Sequence, residues 1–390
     1  MKPIFVGGNR VTLLETGMDY FPALIAAIDG AREEIHLESY IYADDATGRS
    51  ISRSLANAAR RGVVVRVMVD GFGAPDFLGT QGHGLMTAGA EVLIYRQEIK
   101  RLRMRRHRLR RLHRKLVVID GRLAFVGGIN IIDDMDTPGE MPPRFDYAVA
   151  VEGPLLDPMH RATRHLWHLM SWASFRQRLP APTLAQAQPP HPDNVEAAFV
   201  VRDNLRHRSD IEEAYLDAIE EARVEIILAN AYFLPGRRFR HALMDAAARG
   251  VKVTVLLQGR IEYLLQHYAT QALYGSLIDG GVRIFEYRKS FLHAKVAVID
   301  GQWATVGSSN IDPFSLLLAR EANVIVRDIR FAATLRQSLG NAIADGSTEV
   351  GAEDLRKRSW LGRTASWLAY TLMRLAVGIA GYGGGEEYRG

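Results

Sequence analysis

Two stretches of this 390-residue chain carry the same chemical groups at the same spacing. His113-Arg-Lys115 leads into an apolar run ending in Asp120-Gly121, and His293-Ala-Lys295 into one ending in Asp300-Gly301. An Asp-Gly pair between two apolar runs predicts a tight β-hairpin. On a strand, residues i and i+2 share a face, so each histidine points the same way as its lysine. Beyond the returning strands lie Gly127-Gly128-Ile129-Asn130 and Gly307-Ser308-Ser309-Asn310. These small residues are expected to let backbone N–H groups and an amide approach a ligand.

Two imidazoles, two ammoniums and two carboxamides form an anion-handling set. A phosphodiester gathers negative charge on its non-bridging oxygens as a nucleophile attacks, and Lys115, Lys295, Asn130 and Asn310 are suited to neutralise it. Neither stretch holds the carboxylate cluster that Mg²⁺ needs or the His/carboxylate triad of catalytic zinc. The chain has no cysteine, so thiolate nucleophiles and cysteine-based zinc sites are excluded. The expectation is chemistry without a metal or other cofactor. A single His-x-Lys on a strand is ordinary surface; its repetition is what selects chemistry.

The repetition extends well beyond the motif. Ile28–Tyr42 resembles Ile219–Phe233, Leu55–Gly71 resembles Leu243–Gly259, Ala88–Tyr95 resembles Gly280–Tyr287, and Leu112–Asn130 resembles Leu292–Asn310. One structural unit is written twice. Each copy alternates helix-forming, Ala-rich stretches (Leu55–Arg60, Leu243–Arg249) with β-branched runs (Val63–Val69, Val251–Leu257) after an Arg-Gly stop. That order predicts an α/β fold of two mixed-sheet halves flanked by helices. The expected division is 1–178 for the first half, a Pro-rich linker at 179–194, 195–350 for the second half and a tail at 351–390.

Charge is unevenly placed. Residues 96–112 hold eight Arg and one Lys against one Glu, a net of +8, so the other residues sum to −3 within the total of +5. This segment is an insertion: Tyr95 to His113 spans 18 residues, Tyr287 to His293 only 6. Ile99, Leu102, Leu109 and Leu112 among its arginines fit an amphipathic helix against anionic lipid, although a solvated face or nucleic acid would suit the same charge. In the tail, Leu361, Ala365, Leu368, Leu372, Leu375, Ala376 and Ile379 fall on one helical stripe flanked by Trp360 and Trp367. That pattern suits a helix lying in a membrane surface or one packed on the protein's own core. Tyr40, Tyr42, Tyr232 and Phe233 could line a lipid entrance or belong to the core. No apolar run is long enough to span a bilayer, and the opening residues form no signal-peptide run, so the expected location is the cytoplasmic side of the cell membrane, held peripherally.

The doubled H-x-K-x4-D with G-[GS]-x-N resembles the phospholipase D superfamily over roughly residues 9 to 350. The resemblance implies two halves about a pseudo-two-fold axis sharing one active site. It implies a catalytic set of His113, Lys115, Asp120, His293, Lys295 and Asp300, in which one histidine forms a covalent phosphohistidine and the other is the general acid and base. Carried over, His113 is the nucleophile and His293 the acid/base, an order that the pseudo-symmetry leaves open. Asp146 and Glu321 match the acidic residues that orient the histidines. Asp120 and Asp300 would hold the hairpin, and the hydroxyl of Ser308 has only Gly128 opposite it. The stretches GNRVTLLETG, AYFLPGRRFRHALMDAAARGV, FEYRKSFLHAKVAVIDG and WATVGSSNIDPFSL further resemble bacterial cardiolipin synthases of the B type, without N-terminal membrane spans. That implies phosphatidylglycerol as substrate, glycerol as leaving group and a membrane surface as partner through 96–112 and the tail. Other readings of the same residues are a phosphodiesterase acting on other lipids or nucleic acid, and an inactive membrane-binding scaffold.

Overall fold

The computed structural model describes residues 2–96, 111–135, 137, 141–173, 188–203, 207–312, 319–357 and 359–379. Most of the Arg-rich insertion and of the Pro-rich stretch, 179–187 included, lies outside them. The first half runs β1 (Val6–Glu15), α1 (Thr16–Gly30), β2 (Glu34–Ser39), α2 (Ala46–Arg60) and β3 (Val64–Asp70). A π-turn at Leu78–Gly82 runs into α3 (His83–Thr87). Then come β4 (Glu91–Tyr95), β5 (Arg111–Leu112), β6 (Lys115–Ile119), β7 (Leu123–Gly127), β8 (Tyr147–Glu152) and α4 (Leu156–Ala173).

The second half runs β9 (Val195–Arg202), α5 (Asp210–Glu221), β10 (Glu225–Asn230), α6 (Arg237–Ala248) and β11 (Lys252–Gln258). It continues with α7 (Leu264–Gln271), α8 (Tyr274–Asp279), β12 (Arg283–Tyr287), β13 (Lys295–Ile299), β14 (Trp303–Gly307), β15 (Ala319–Arg327) and α9 (Ile329–Gly346). β16 (Ser347–Glu349), α10 (Ala352–Lys357) and α11 (Trp360–Ile379) close the described chain.

The strands form one continuous mixed sheet, ordered β16-β12-β11-β10-β13-β14-β15-β9-β1-β8-β7-β6-β2-β3-β4. From the seam between β9 and β1 outwards, each half repeats the same order, which is the duplication of the sequence turned into geometry. Both faces of the sheet are covered. Leu116, Val118, Val296 and Val298 face a central core with Phe331, Leu335 and Leu339 of α9. Val117 and Ile119 turn the other way toward α1 and α2, and Ala297 and Ile299 toward α5 and α6. A strand buried on two sides reads as an unbroken apolar run, which is why KLVVI and KVAVI show no polar alternation.

Local signals stop and start the elements where expected. Gly62 and Gly250 end α2 and α6 at φ of 93° and 92°, a left-handed conformation that glycine adopts without steric cost. Asp45 accepts from the Gly48 N–H at 2.7 Å to cap α2.

Candidate active site

The two motif histidines sit outside the carboxyl ends of the parallel strands, where open α/β sheets hold ligands. β2, β3 and β4 are mutually parallel, as are β10, β11 and β12, while β6 and β13 run back against β2 and β10. Just before His113, the Leu112 N–H donates to Asp70 at the end of β3 (2.8 Å). Before His293, the Leu292 N–H donates to Gln258 at the end of β11 (3.2 Å). Each approach to a histidine is thus tied to its own half's sheet.

Each histidine is also tied to the opposite half. The His113 N–H donates to the Arg320 carbonyl (3.0 Å), and the His293 N–H to the Phe145 carbonyl (2.8 Å). The next residue in each case is an acid. His113 Nδ1 lies 2.9 Å from Glu321 Oε1, and His293 Nδ1 lies 2.6 Å from Asp146 Oδ2. The sequence singled out both acids; the structure adds that they are exchanged between halves. A carboxylate at Nδ1 fixes the tautomer and leaves the Nε2 lone pair for substrate.

Electrostatics in the site are dominated by burial. It lowers the His113 pKa against the pull of Glu321, with Lys115 and Lys295 adding to the fall. His293 falls to about 4, from burial first and the Lys295 charge second, against Asp146. Lys115 is lowered to about 7 by burial, opposed by Glu321 and reinforced by Lys295. Lys295 is lowered by burial against Asp146 and Glu321. Burial raises Asp146, but the Lys295 and His293 charges outweigh it and leave that carboxyl low. Each lysine therefore acts on the histidine of the other half, and the two motifs share one field. An anion entering that field is favoured by both buried ammoniums.

Lys115 Nζ donates to the His113 carbonyl at 2.7 Å and stands 5.4 Å over the Tyr40 ring. Lys295 Nζ binds the His293 carbonyl, lies 2.7 Å from His293 Nδ1 and 3.5 Å from Asp146 Oδ2. Asn130 accepts from the Ile41 N–H at 3.2 Å through Oδ1, which directs its NH₂ elsewhere. Asn310 is buried with no hydrogen-bond partner for Oδ1 among the described residues.

The small residues after the hairpins correct an expectation. The Gly128 N–H donates to the Tyr147 carbonyl (2.9 Å) and the Ser308 N–H to the Ala322 carbonyl (3.0 Å), so these donors belong to the sheet and not to a ligand. What the missing side chain provides is room for the acids. A Cβ on Gly128 would stand 2.3 Å from Asp146 Oδ1 and 2.5 Å from Oδ2. In the other half the hydroxyl expected of Ser308 donates to Glu321 Oε2 at 2.5 Å. A short acid beside glycine in one half answers a long acid beside serine in the other.

Asp120 and Asp300 do not join the site, which corrects their place in the catalytic set. They occupy the hairpin turns at φ of 52° and 51°, at the far ends of β6 and β13 from the lysines. Asp120 accepts from the N–H groups of Arg32, Glu33 and Glu34 (2.9, 2.8 and 2.9 Å). Asp300 accepts from those of Arg223, Val224 and Glu225 (2.8, 2.8 and 2.9 Å). Each carboxylate pins the start of the neighbouring antiparallel strand, β2 or β10.

The four aromatic residues divide evenly. Tyr42 and Phe233 are core. Tyr40 lies against His113 with ring centroids 4.8 Å apart, and Tyr232 stands edge-on to His293 at 6.3 Å. Tyr232 donates to Glu262 at 2.8 Å, and Glu262 also receives Arg144 of the first half at 3.2 Å. Glu262 and Arg144 escaped the sequence reading because they lie outside the repeated blocks. Arg111, at the described end of the insertion, covers the Phe72 ring at 4.8 Å. The amphipathic reading of Ile99, Leu102 and Leu109 falls outside the described residues.

Among the described residues one His/carboxylate group, Glu34, His36 and His160, gathers its ligand atoms within 4.8 Å. It lies between β2 and α4. Its carboxylate already meets both imidazoles (3.0 and 2.6 Å) and faces Arg66 and Arg164 at 3.6 and 3.8 Å, a field that repels a further cation.

The family described as cardiolipin synthase, PLD-like domain, matches residues 24–135 and 215–343, once in each half. The chain belongs to this family. Cardiolipin synthase B of Escherichia coli K12 is 39% identical over 98% of this chain and 92% of its own length. Cardiolipin synthase A of Proteus mirabilis is 29% identical over 94% of this chain and 75% of its own. Among solved structures, phosphatidylserine synthase of Haemophilus influenzae superposes with a TM-score of 0.70 at 14% identity, covering 95% of this chain and 94% of that one. Polyphosphate kinase of Porphyromonas gingivalis reaches 0.59 at 13% identity, covering 95% and 53%. These two similarities concern the fold. The phospholipase D-like family therefore accounts for the doubled hairpin and the shared sheet alike.

Proposed function

We propose that this protein is a cardiolipin synthase that moves a phosphatidyl group from one phosphatidylglycerol to the hydroxyl of another and releases glycerol. The observation that carries the chemistry is the crossed pair of histidine–carboxylate contacts, which leaves two Nε2 atoms available in one cationic, buried site. The product, cardiolipin, is supported by the cardiolipin synthases among its relatives, that of Escherichia coli K12 being 39% identical along almost the whole chain.

In this reading His113 Nε2 attacks phosphorus as the P–O bond to the leaving glycerol breaks, and His293 delivers its proton to that oxygen. His293 then takes the proton of the incoming lipid hydroxyl, whose oxygen attacks phosphorus and breaks the P–N bond. Lys115, Lys295, Asn130 and Asn310 hold the non-bridging oxygens, while Asp146 and Glu321 orient the rings. Binding of the phosphodiester anion beside His293 raises a pKa that burial and Lys295 hold down to about 4, supplying the acid. Asp120 and Asp300 hold the fold.

The domain division at 1–178, 179–194, 195–350 and 351–390 is part of the proposal, supported by the seam between β1 and β9. So is contact with the membrane surface through 96–112 and α11. The basic segment suits the negatively charged cytoplasmic leaflet. No described helix is long and apolar enough to cross a membrane.

The test is purified protein with labelled phosphatidylglycerol in vesicles, beside His113→Ala and a single-stranded DNA control. Cardiolipin with free glycerol, lost in the variant, is the expected result. Shortened DNA with no lipid product would move the substrate to nucleic acid.

A further inference from the structure

The sequence pattern drew attention to one stripe of α11, yet the helix has two working faces. Ala369 and Met373 are buried in the core of the second half, and α11 packs along α7. The stripe itself, Leu368, Leu372 and Leu375, is turned outward and is 50% to 59% exposed. Packing on the protein therefore leaves these three leucines of the stripe facing outward.

The neighbouring helix presents more apolar surface. Ile261, Tyr263, Leu264 and Leu265, at the start of α7, are 45% to 62% exposed. They follow β11 at its carboxyl end, the end at which the histidines sit. Tyr263 also reaches inward: its ring is 5.8 Å from that of Tyr232, which stands edge-on to His293. The exposed apolar residues thus continue by aromatic contact into the wall of the site. The corresponding loop of the first half has Phe72 instead, roofed by the Arg111 guanidinium.

We propose that Ile261–Leu265 and the outer stripe of α11 together form a bilayer-inserting face that opens the His293 side of the site directly to membrane lipid. The proposal rests on the lipid-transferase reading and adds to it where the lipid enters. Charge favours an anionic bilayer as occupant: from Arg356 to Ile379 the chain has five basic residues and no acidic one. Trp360 and Trp367, 68% and 62% exposed, add the aromatic residues that settle at headgroup depth. A substrate that lives in a bilayer needs a dry path to the site, and a patch this apolar in water needs a cover.

The chain has no cysteine, so single labels can be placed cleanly. Leu264→Cys, Leu372→Cys and, as a control, Val224→Cys would each carry an environment-sensitive fluorophore. Val224 is 67% exposed and immediately precedes β10 at its amino end, away from the site. With phosphatidylglycerol vesicles, emission at 264 and 372 should shift to the blue while that at 224 stays unchanged. Leu264→Asp with Leu265→Asp should weaken vesicle binding by about tenfold or more. Vesicle-bound protein whose label at 264 remains in water would overturn the proposal. So would a shift that appears without vesicles as protein concentration rises, which would make a second copy of the chain the cover. The labels need no turnover, so a wild-type protein that inserts but makes no cardiolipin would sink the activity and leave the docking face standing.

Discussion

At the scale of single residues, the two halves solve the same problem with different pairs. Gly128 leaves space for Asp146, and Ser308 donates to Glu321. Gly128→Ser places a side chain inside contact distance of Asp146 and should therefore misorient His293. We expect a loss of at least about a hundredfold in kcat, from a displacement of the order of 1 Å. Ser308→Ala removes one hydrogen bond from a carboxylate that keeps its histidine, and about tenfold or less should be lost. Steady-state assays of the two folded variants would separate these outcomes; equal losses would contradict the asymmetry. Titration gives a second expectation. Lys115, lowered to about 7 chiefly by burial, is charged below that pH and neutral above it. Its attraction for a phosphodiester is present at pH 6 and fades as pH rises through 7, so KM should rise on the alkaline side. Lys115→Arg, charged throughout, should flatten that rise even if it lowers the rate.

At the scale of elements, the hairpin is the part most legible in the sequence. Asp120-Gly121 and Asp300-Gly301 specify turns with positive φ, and the structure has both. Helices ending at Arg-Gly and buried β-branched strands were equally readable, because propensity and burial agree there. The use of Gly128 departs from the expectation, since a glycine that makes room for a neighbouring acid looks in sequence like one that admits a ligand. The exchange of Asp146 and Glu321 could not be read, because strands so distant in sequence reveal their pairing only in three dimensions. The turn carboxylates give an element-level prediction. Asp300→Ala leaves three backbone N–H groups without their acceptor and should cost about 1–3 kcal/mol of stability, read from the urea midpoint. The sign with pH follows from a folded pKa that those N–H groups hold below its ordinary value, against burial. The contribution is present above the unfolded pKa of Asp, about 3.9, and is lost as pH falls through the lower folded value. The wild-type advantage over Asp300→Ala should therefore vanish in acid.

At the scale of the whole molecule, the seam between β1 and β9 and the crossed acids make one site out of two units. Neither half pairs its motif histidine with its own acid. Consequently a change in one half should appear at the histidine of the other. Glu321→Gln should impair the nucleophile and slow mainly the glycerol phase, whereas Asp146→Asn should impair His293, which moves a proton in both steps, and slow glycerol and cardiolipin alike. Burst-phase kinetics of glycerol and cardiolipin would resolve the two, and identical effects of the two variants would argue against the exchange. The tail was only half legible: its apolar stripe was plain, but the described residues that seat α11, Ser366, Ala369, Tyr370 and Met373, mix small, aromatic and thioether side chains, which no hydrophobic periodicity marks out.

The proposed transfer carries a phosphatidyl group on His113 between two lipids. The most direct measurement is rapid-quench peptide mass spectrometry of the wild-type protein during turnover of phosphatidylglycerol, with His113→Ala alongside. A phosphatidyl adduct on the His113 peptide that disappears in the variant is the expected result. Cardiolipin formed at full rate with no adduct on that peptide, or with the adduct on His293 instead, would contradict it.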